Sequence, residues 1–151
     1  MNNIVLGIDL GTTFTVAAYI DDSGTPRVIH DKDHNPATPS AVLFKEDGSI
    51  VVGWPAMRVA VAKEDRIIRW IKRRMGGDDA DFRFFDRSPI EISAEILKHV
   101  RELAVAKLGN ITDAVITVPA YFSATEISQR VAMLFDLQNR IDDMVHIASG
   151  R

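Results

Sequence analysis

Cysteine is absent from this 151-residue chain, which removes disulfides, thiol nucleophiles and cysteine-ligated metals. The same lack fits a reducing compartment, so a cytoplasmic protein is expected. Long apolar runs are missing as well. The longest stretch without a charged residue, 114–125, is too short to cross a bilayer. The N-terminus MNNIVLGIDL has no basic segment followed by an apolar run and does not read as a secretory signal, so no membrane partner is expected. Positive charge is not in excess either: at a net −3 there is no overall field to gather nucleic acid, and none is expected to bind. His30, His34, His99 and His146 lack ligand-like spacing, and no GxSxG elbow occurs. What remains is a globular composition, 46% hydrophobic and 26% charged, at the length of one ordinary domain.

Val5 to Asp9, Thr13 to Ile20 and Arg27 to His30 are rich in β-branched and apolar residues, with Asp22-Ser23-Gly24-Thr25-Pro26 as a turn. They predict a three-stranded antiparallel meander. A polar loop, 31–39, leads to two further short strands, Ser40 to Phe44 and Ile50 to Gly53. From Pro55 the apolar spacing turns helical, with Ile67, Ile68, Ile71 and Met75 on one face and Gly76-Gly77 as the stop. Ser88-Pro89-Ile90-Glu91 is a capping box, and the helix behind it should bury Ile92, Ile96, Val100 and Leu103 and stop near Gly109. A buried strand at 114–118 ends at Pro119. A second capping box, Ser123 to Glu126, opens another helix, and Met144 to Ala148 suits a last strand. The order predicts an α/β domain in which crossover helices bring parallel strands onto the meander's sheet.

The chemistry concentrates in "VLGIDLGTTFTVAAYI". Gly11 permits positive φ and close approach of a ligand to the backbone. The turn's amides and the hydroxyls of Thr12 and Thr13 suit an anion. Asp9 would repel a bare phosphate, but it makes sense if a magnesium ion lies between. No Walker loop is present, and a plain hairpin whose Asp and Thr residues satisfy the turn remains open. In "DRIIRWIKRRMGG", helical spacing puts Arg66, Arg69 and Arg73 opposite the apolar stripe, with Lys72 at the border, from where its ammonium can extend into a neighbouring cleft. A solvated basic helix is the simpler alternative. Pro119 makes a rigid joint, either a hinge or a simple strand terminator.

Taken together, "GIDLGTTFTVAAY", "PRVIHDKDHNPATPSAVLF", "VVGWPAMRVAV", "IKRRMGG", "EISAEILKHVRELAVAKLG" and "DAVITVPAYF" resemble the start of the nucleotide-binding domain of DnaK-type heat-shock chaperones, the seventy-kilodalton class. The likeness runs almost continuously over residues 4–122. The first motif alone would also fit sugar kinases and other actin-like ATPases; "ATPS", "IKR" and "ITVPAYF" favour the chaperones. The resemblance implies an actin-like, ribonuclease H-like lobe and the cofactors ATP or ADP with magnesium. Asp9 would approach the metal through water, Thr12 and Thr13 beside Gly11 would contact phosphates, and Lys72 would assist γ-phosphate cleavage. Pro119 would be the switch that relays nucleotide state, and Arg130 the family's arginine in the following helix.

Beyond Phe122 the wording departs. If Met144 to Ala148 is the family's next strand, Ser149-Gly150 replaces an Asn-Glu pair whose glutamate helps position metal and water. The resemblance therefore leads us to expect a first lobe alone: a core of 1–35 and 110–151, a small peripheral subdomain of 36–109, and no second lobe, adenosine pocket or peptide-binding domain. Such a lobe would bind nucleotide weakly and be a poor or inactive ATPase. A non-catalytic module that pairs with itself, a full-length relative or other chaperone components is the alternative, and a sugar kinase fragment the lesser one.

Overall fold

In the computed structural model the described residues are 4–75, 81–109, 111 and 113–117. The strand β1 (Val5–Leu10) alternates, with Leu6, Ile8 and Leu10 buried while Val5, Gly7 and Asp9 face outward. That period of two is what a half-covered sheet requires. β2 (Phe14–Ile20) pairs antiparallel with β1, and β3 (Pro26–Val28) pairs with the far half of β2, completing the expected meander. Asp21 ties the β2–β3 turn: its carboxylate accepts from the amides of Ser23 and Thr25 and from the Ser23 hydroxyl and Arg27 guanidinium. These bonds, that of the Ser23 hydroxyl foremost, hold its acidity well below the usual carboxylate range.

The stretch expected to be loop up to Pro39 ends in a short strand, β4 (Thr38–Pro39), which pairs with Phe14 and Thr15. β5 (Ala41–Phe44) is buried at every position. The reason is two-sided cover: Val42 and Phe44 join the main core, while Ala41 and Leu43 join a smaller core with Ala56, Ala60 and Ile67. β6 (Ile50–Val52) lies on one side of β5.

The long helix expected from Pro55 to Met75 does not form. A single helical stretch, α1 (Trp54–Arg58), is followed by a 3-10 turn at Glu64–Arg66, the strand β7 (Ile67–Arg69) and a second 3-10 turn at Ile71–Arg74. Ile67 and Ile68 are both buried because they point to opposite faces of the β6-β5-β7 sheet, one into each core. Adjacent β-branched residues suit a strand covered on both faces, and pairing with β5 overrides the helical spacing. The basic face dissolves with the helix. Arg66 lies over the Phe85 ring, Arg69 over Trp70 and Arg74 over Phe82.

α2 (Pro89–Leu108) starts as spelled: the Ser88 hydroxyl accepts from the Glu91 amide, and the Glu91 carboxylate accepts from the Ser88 amide. Ile92, Ile96 and Val100 are buried as expected. Leu103 is only partly covered, and Ala104 takes the fully enclosed place. β8 (Asp113–Thr117) then lies parallel to β1, giving the sheet order β3-β2-β1-β8 with β4 beside β2. This is the mixed sheet with a crossover helix that the sequence predicts. The second capping box, Pro119, Arg130 and the strand expected at Met144 to Ala148 lie outside the described residues. Among the described residues no helix is long and apolar enough to cross a membrane.

Candidate functional site

β1 and β8 run in the same direction, so their carboxyl ends lie together, the usual place for ligands in sheets with parallel strands. Asp9 and Thr117 are register partners there, and the Thr117 hydroxyl donates to Asp9 Oδ1 at 2.6 Å. Asp9 is exposed, and Thr117 orients it while leaving the second carboxylate oxygen turned to no other protein donor among the described residues. Thr117 was not singled out from sequence. The only sequence signal is a hydroxyl near the end of the strand in "VITVP"; that it stands beside Asp9 is fixed by the register of β8 on β1.

Past Asp9 the chain turns through Gly11, Thr12 and Thr13. Gly11 does not use the positive φ open to a glycine. Its role is steric: a Cβ there would lie 2.0 Å from the Phe14 carbonyl oxygen, far inside contact distance. The turn is anchored from below by buried Ser40. Its amide donates to the Thr13 carbonyl at 2.8 Å, and its hydroxyl donates to the Gly11 carbonyl at 2.9 Å. Thr15, also buried, donates its hydroxyl to Ser40 Oγ at 2.9 Å, since that oxygen's own proton is already committed. Sequence reading gave Ser40 no role beyond a strand start. With the backbone so held, Thr12 and Thr13 keep their hydroxyls free of protein partners among the described residues, and Thr13 is exposed.

Lys72 sits in the 3-10 turn Ile71–Arg74, not on a helix. The turn opens at Trp70, whose φ of 60° is unusual for a bulky side chain. Arg69 and Trp70 border a pocket of about 110 Å³ together with Thr12, Thr13, Phe14 and Trp54. The structure thus brings the segment that carries Lys72 to the hydroxyl-bearing turn. Lys72 is half-buried and forms no ion pair among the described residues.

These groups fit a magnesium-phosphate ligand. One oriented carboxylate beside two hydroxyls free of protein partners among the described residues is the kind of donor set suited to an ion that keeps most of its waters and shares phosphate oxygens. Among the described residues no group of three His, Cys, Asp or Glu could hold a metal ion by itself.

The sequence model of the Hsp70 family ("Hsp70 protein") matches residues 5–86 and 80–134. The chain is 47% identical over 122 residues to the chaperone protein DnaK of Thermotoga petrophila and to that of Thermotoga maritima. It is 45% identical to that of Thermosipho melanesiensis over the same length. Each alignment takes in 79% of this chain, which spans 20% of the length of these curated relatives. A mixed sheet with its crossover helix, an Asp-x-Gly-Thr-Thr turn at the strand ends and this match lead to one conclusion: the chain belongs to the Hsp70 family and has its actin-like ATPase fold.

Proposed function

We propose that Asp9, Gly11, Thr12, Thr13 and Lys72 form one wall of a magnesium-nucleotide site in a chaperone-type ATPase. The observation that carries this is the Thr117–Asp9 hydrogen bond beside an anchored turn with free hydroxyls. It is hard to account for in a plain hairpin, where Asp9 would be expected to cap its own turn. When bound, magnesium would supply positive charge against the charge that develops on the phosphates. Asp9, oriented by the Thr117 hydroxyl, would hold the metal through water. The Gly11–Thr13 amides and hydroxyls receive phosphate oxygens, and Lys72 places a point charge toward the terminal phosphoryl group. Arg130 as a further nucleotide contact and Pro119 as a hinge complete the proposal from beyond the described residues.

The division proposed is a core, 1–35 with 110–151, and a peripheral unit, 36–109; the sheet β6-β5-β7 falls within the second, while β4 (Thr38–Pro39) pairs with β2 across that boundary. Phosphoryl transfer rests on charges placed around the whole phosphate chain. These residues supply one side, so slow hydrolysis by the 151 residues alone is expected. Coupling to client folding, other chaperone components and a cytoplasmic setting are proposals that follow from the family.

Isothermal titration of Mg-ATP into the wild type and Asp9→Ala tests the reading. Wild-type heats that fade in the variant support it. Equal heats in both remove Asp9 from the site. A second reading, a module that pairs with itself, draws on Val5 and Ile20, which are 48% and 61% exposed on the sheet. Light scattering at rising concentration decides it, and a strictly monomeric chain would rule it out.

A further inference from the structure

We propose that Ser40 is a positioning residue that fixes the gap between the Gly11–Thr13 turn and the segment carrying Lys72, so that a phosphate chain bound on the turn is felt at Trp70. This deepens, and rests on, the phosphate reading above. Residues 38–41 form one run shared by the two sheets. Thr38 pairs with Thr15 and Pro39 with Phe14, and the Ser40 amide carries the pairing one step further, donating to the Thr13 carbonyl at 2.8 Å. At the next residue the chain changes sheets. Ala41 pairs with Arg69 of β7, and its carbonyl accepts from the Gly53 amide at 3.0 Å. Strands that switch sheets make the corners between them, and Ser40 stands at this one.

The Ser40 side chain adds what its backbone alone does not. Its hydroxyl reaches past Thr13 to the Gly11 carbonyl at 2.9 Å, so both ends of the turn hang on one residue. Ser40 and Thr15 are 3% and 1% exposed, and water has little access to replace these bonds. On the far side of the corner, Arg69 leads directly into Trp70, whose φ of 60° opens the 3-10 turn with Lys72. The Arg69 guanidinium lies 4.6 Å from the centre of the Trp70 ring, and both residues line the pocket that Thr12 and Thr13 border. A shift of the turn thus has a short route to the lysine segment: from Gly11 and Thr13 to Ser40, along the chain to Ala41, and across the ladder to Arg69. Close-packed interiors transmit such shifts because they compress little.

The chain has two tryptophans, Trp54 and Trp70, so 5-fluorotryptophan labelling gives one fluorine resonance for each, and Trp54→Phe assigns them. Magnesium tripolyphosphate, which has no ring of its own to stack, is the probe. In the wild type it should bind by titration calorimetry and move the Trp70 resonance in step with saturation. Ser40→Ala should bind it roughly fivefold or more weakly and, at saturation, leave the Trp70 resonance in place. Ser40→Cys, close to serine in shape and with only a weak S–H donor, should do the same with less loss of packing. Thr15→Val removes a buried hydroxyl but neither bond from Ser40 to the turn, so its melting midpoint should fall while affinity and the Trp70 shift stay. Wild-type affinity in both Ser40 variants overturns the positioning role and leaves the phosphate reading intact. A Trp70 resonance that stays still in the saturated wild type, or still moves in saturated Ser40→Ala, overturns the link to the lysine segment. Losses in Thr15→Val equal to those in Ser40→Ala assign both to packing and overturn the proposal as well. Absence of tripolyphosphate binding in the wild type overturns the phosphate reading and, with it, the role of Ser40.

Discussion

One methyl group at Gly11 would meet the Phe14 carbonyl oxygen at 2.0 Å, so Gly11→Ala must push the turn away from the strand that follows it. Overpacking of this kind costs about 1–3 kcal/mol, and a lowered melting midpoint with weakened Mg-ATP binding is expected. An unchanged midpoint would show that the turn yields. Thr117 acts through Asp9. Thr117→Val keeps the shape and removes the hydrogen bond; Asp9 is exposed, so water replaces the lost donor in the free protein and what is lost is the carboxylate's fixed orientation. Mg-ATP affinity should fall by roughly tenfold while the melting midpoint moves little, and Thr117→Ser should restore it. Loss in the Ser variant equal to that in Val would assign Thr117 to packing alone. The sequence showed Asp9, Thr12 and Thr13 as a group because they are neighbours along the chain. It showed neither Thr117 nor Ser40, because the register that joins them to the turn is set by strands 29 and 108 residues away.

Local elements were legible where the chemistry closes within one turn. The Ser88 box is an example: four consecutive residues satisfy each other's backbone and could be read without knowing the fold. Ser88→Ala should cost about 1 kcal/mol by thermal or denaturant unfolding. The Ser88 amide, foremost, holds the Glu91 carboxyl below its ordinary value of 4.5. The folded form therefore releases this proton first, so the box stabilises fully above about pH 4.5 and loses its contribution as pH falls further. The segment from Trp54 to Met75 was not legible in the same way. Its isoleucines recur at a spacing that serves one helix face or two sheet faces, and only the presence of β5 as a partner decides. The left-handed turn at Trp70 breaks the segment where no glycine or asparagine signals it.

At the scale of the whole molecule, α2 rests on both sheets, and His99 on that helix is half-buried near Gly53, facing Glu102 and Asp31. Burial lowers its pKa below the ordinary 6.5, more than the two carboxylates raise it. As pH falls the unfolded chain is protonated first, so stability is complete above about pH 6.5 and declines below it. His99→Gln should flatten that decline in denaturant midpoints between pH 7 and pH 5, and an identical slope would clear His99 of the effect. The α/β class and the meander were readable because alternation and turn residues repeat along the chain, whereas the smaller sheet's third strand needed partners distant in sequence. The Thr117–Asp9 bond spans 108 residues. Contacts that close so long a loop form late, after the local meander and helix have removed most of the chain's freedom. The carboxylate is thus present from the first strand onward but acquires its orientation only when β8 docks. A refolding chain should gain far-ultraviolet signal before it gains the proposed Mg-ATP binding, which would then mark the finished sheet; simultaneous recovery of both signals would show that β8 docks with the rest.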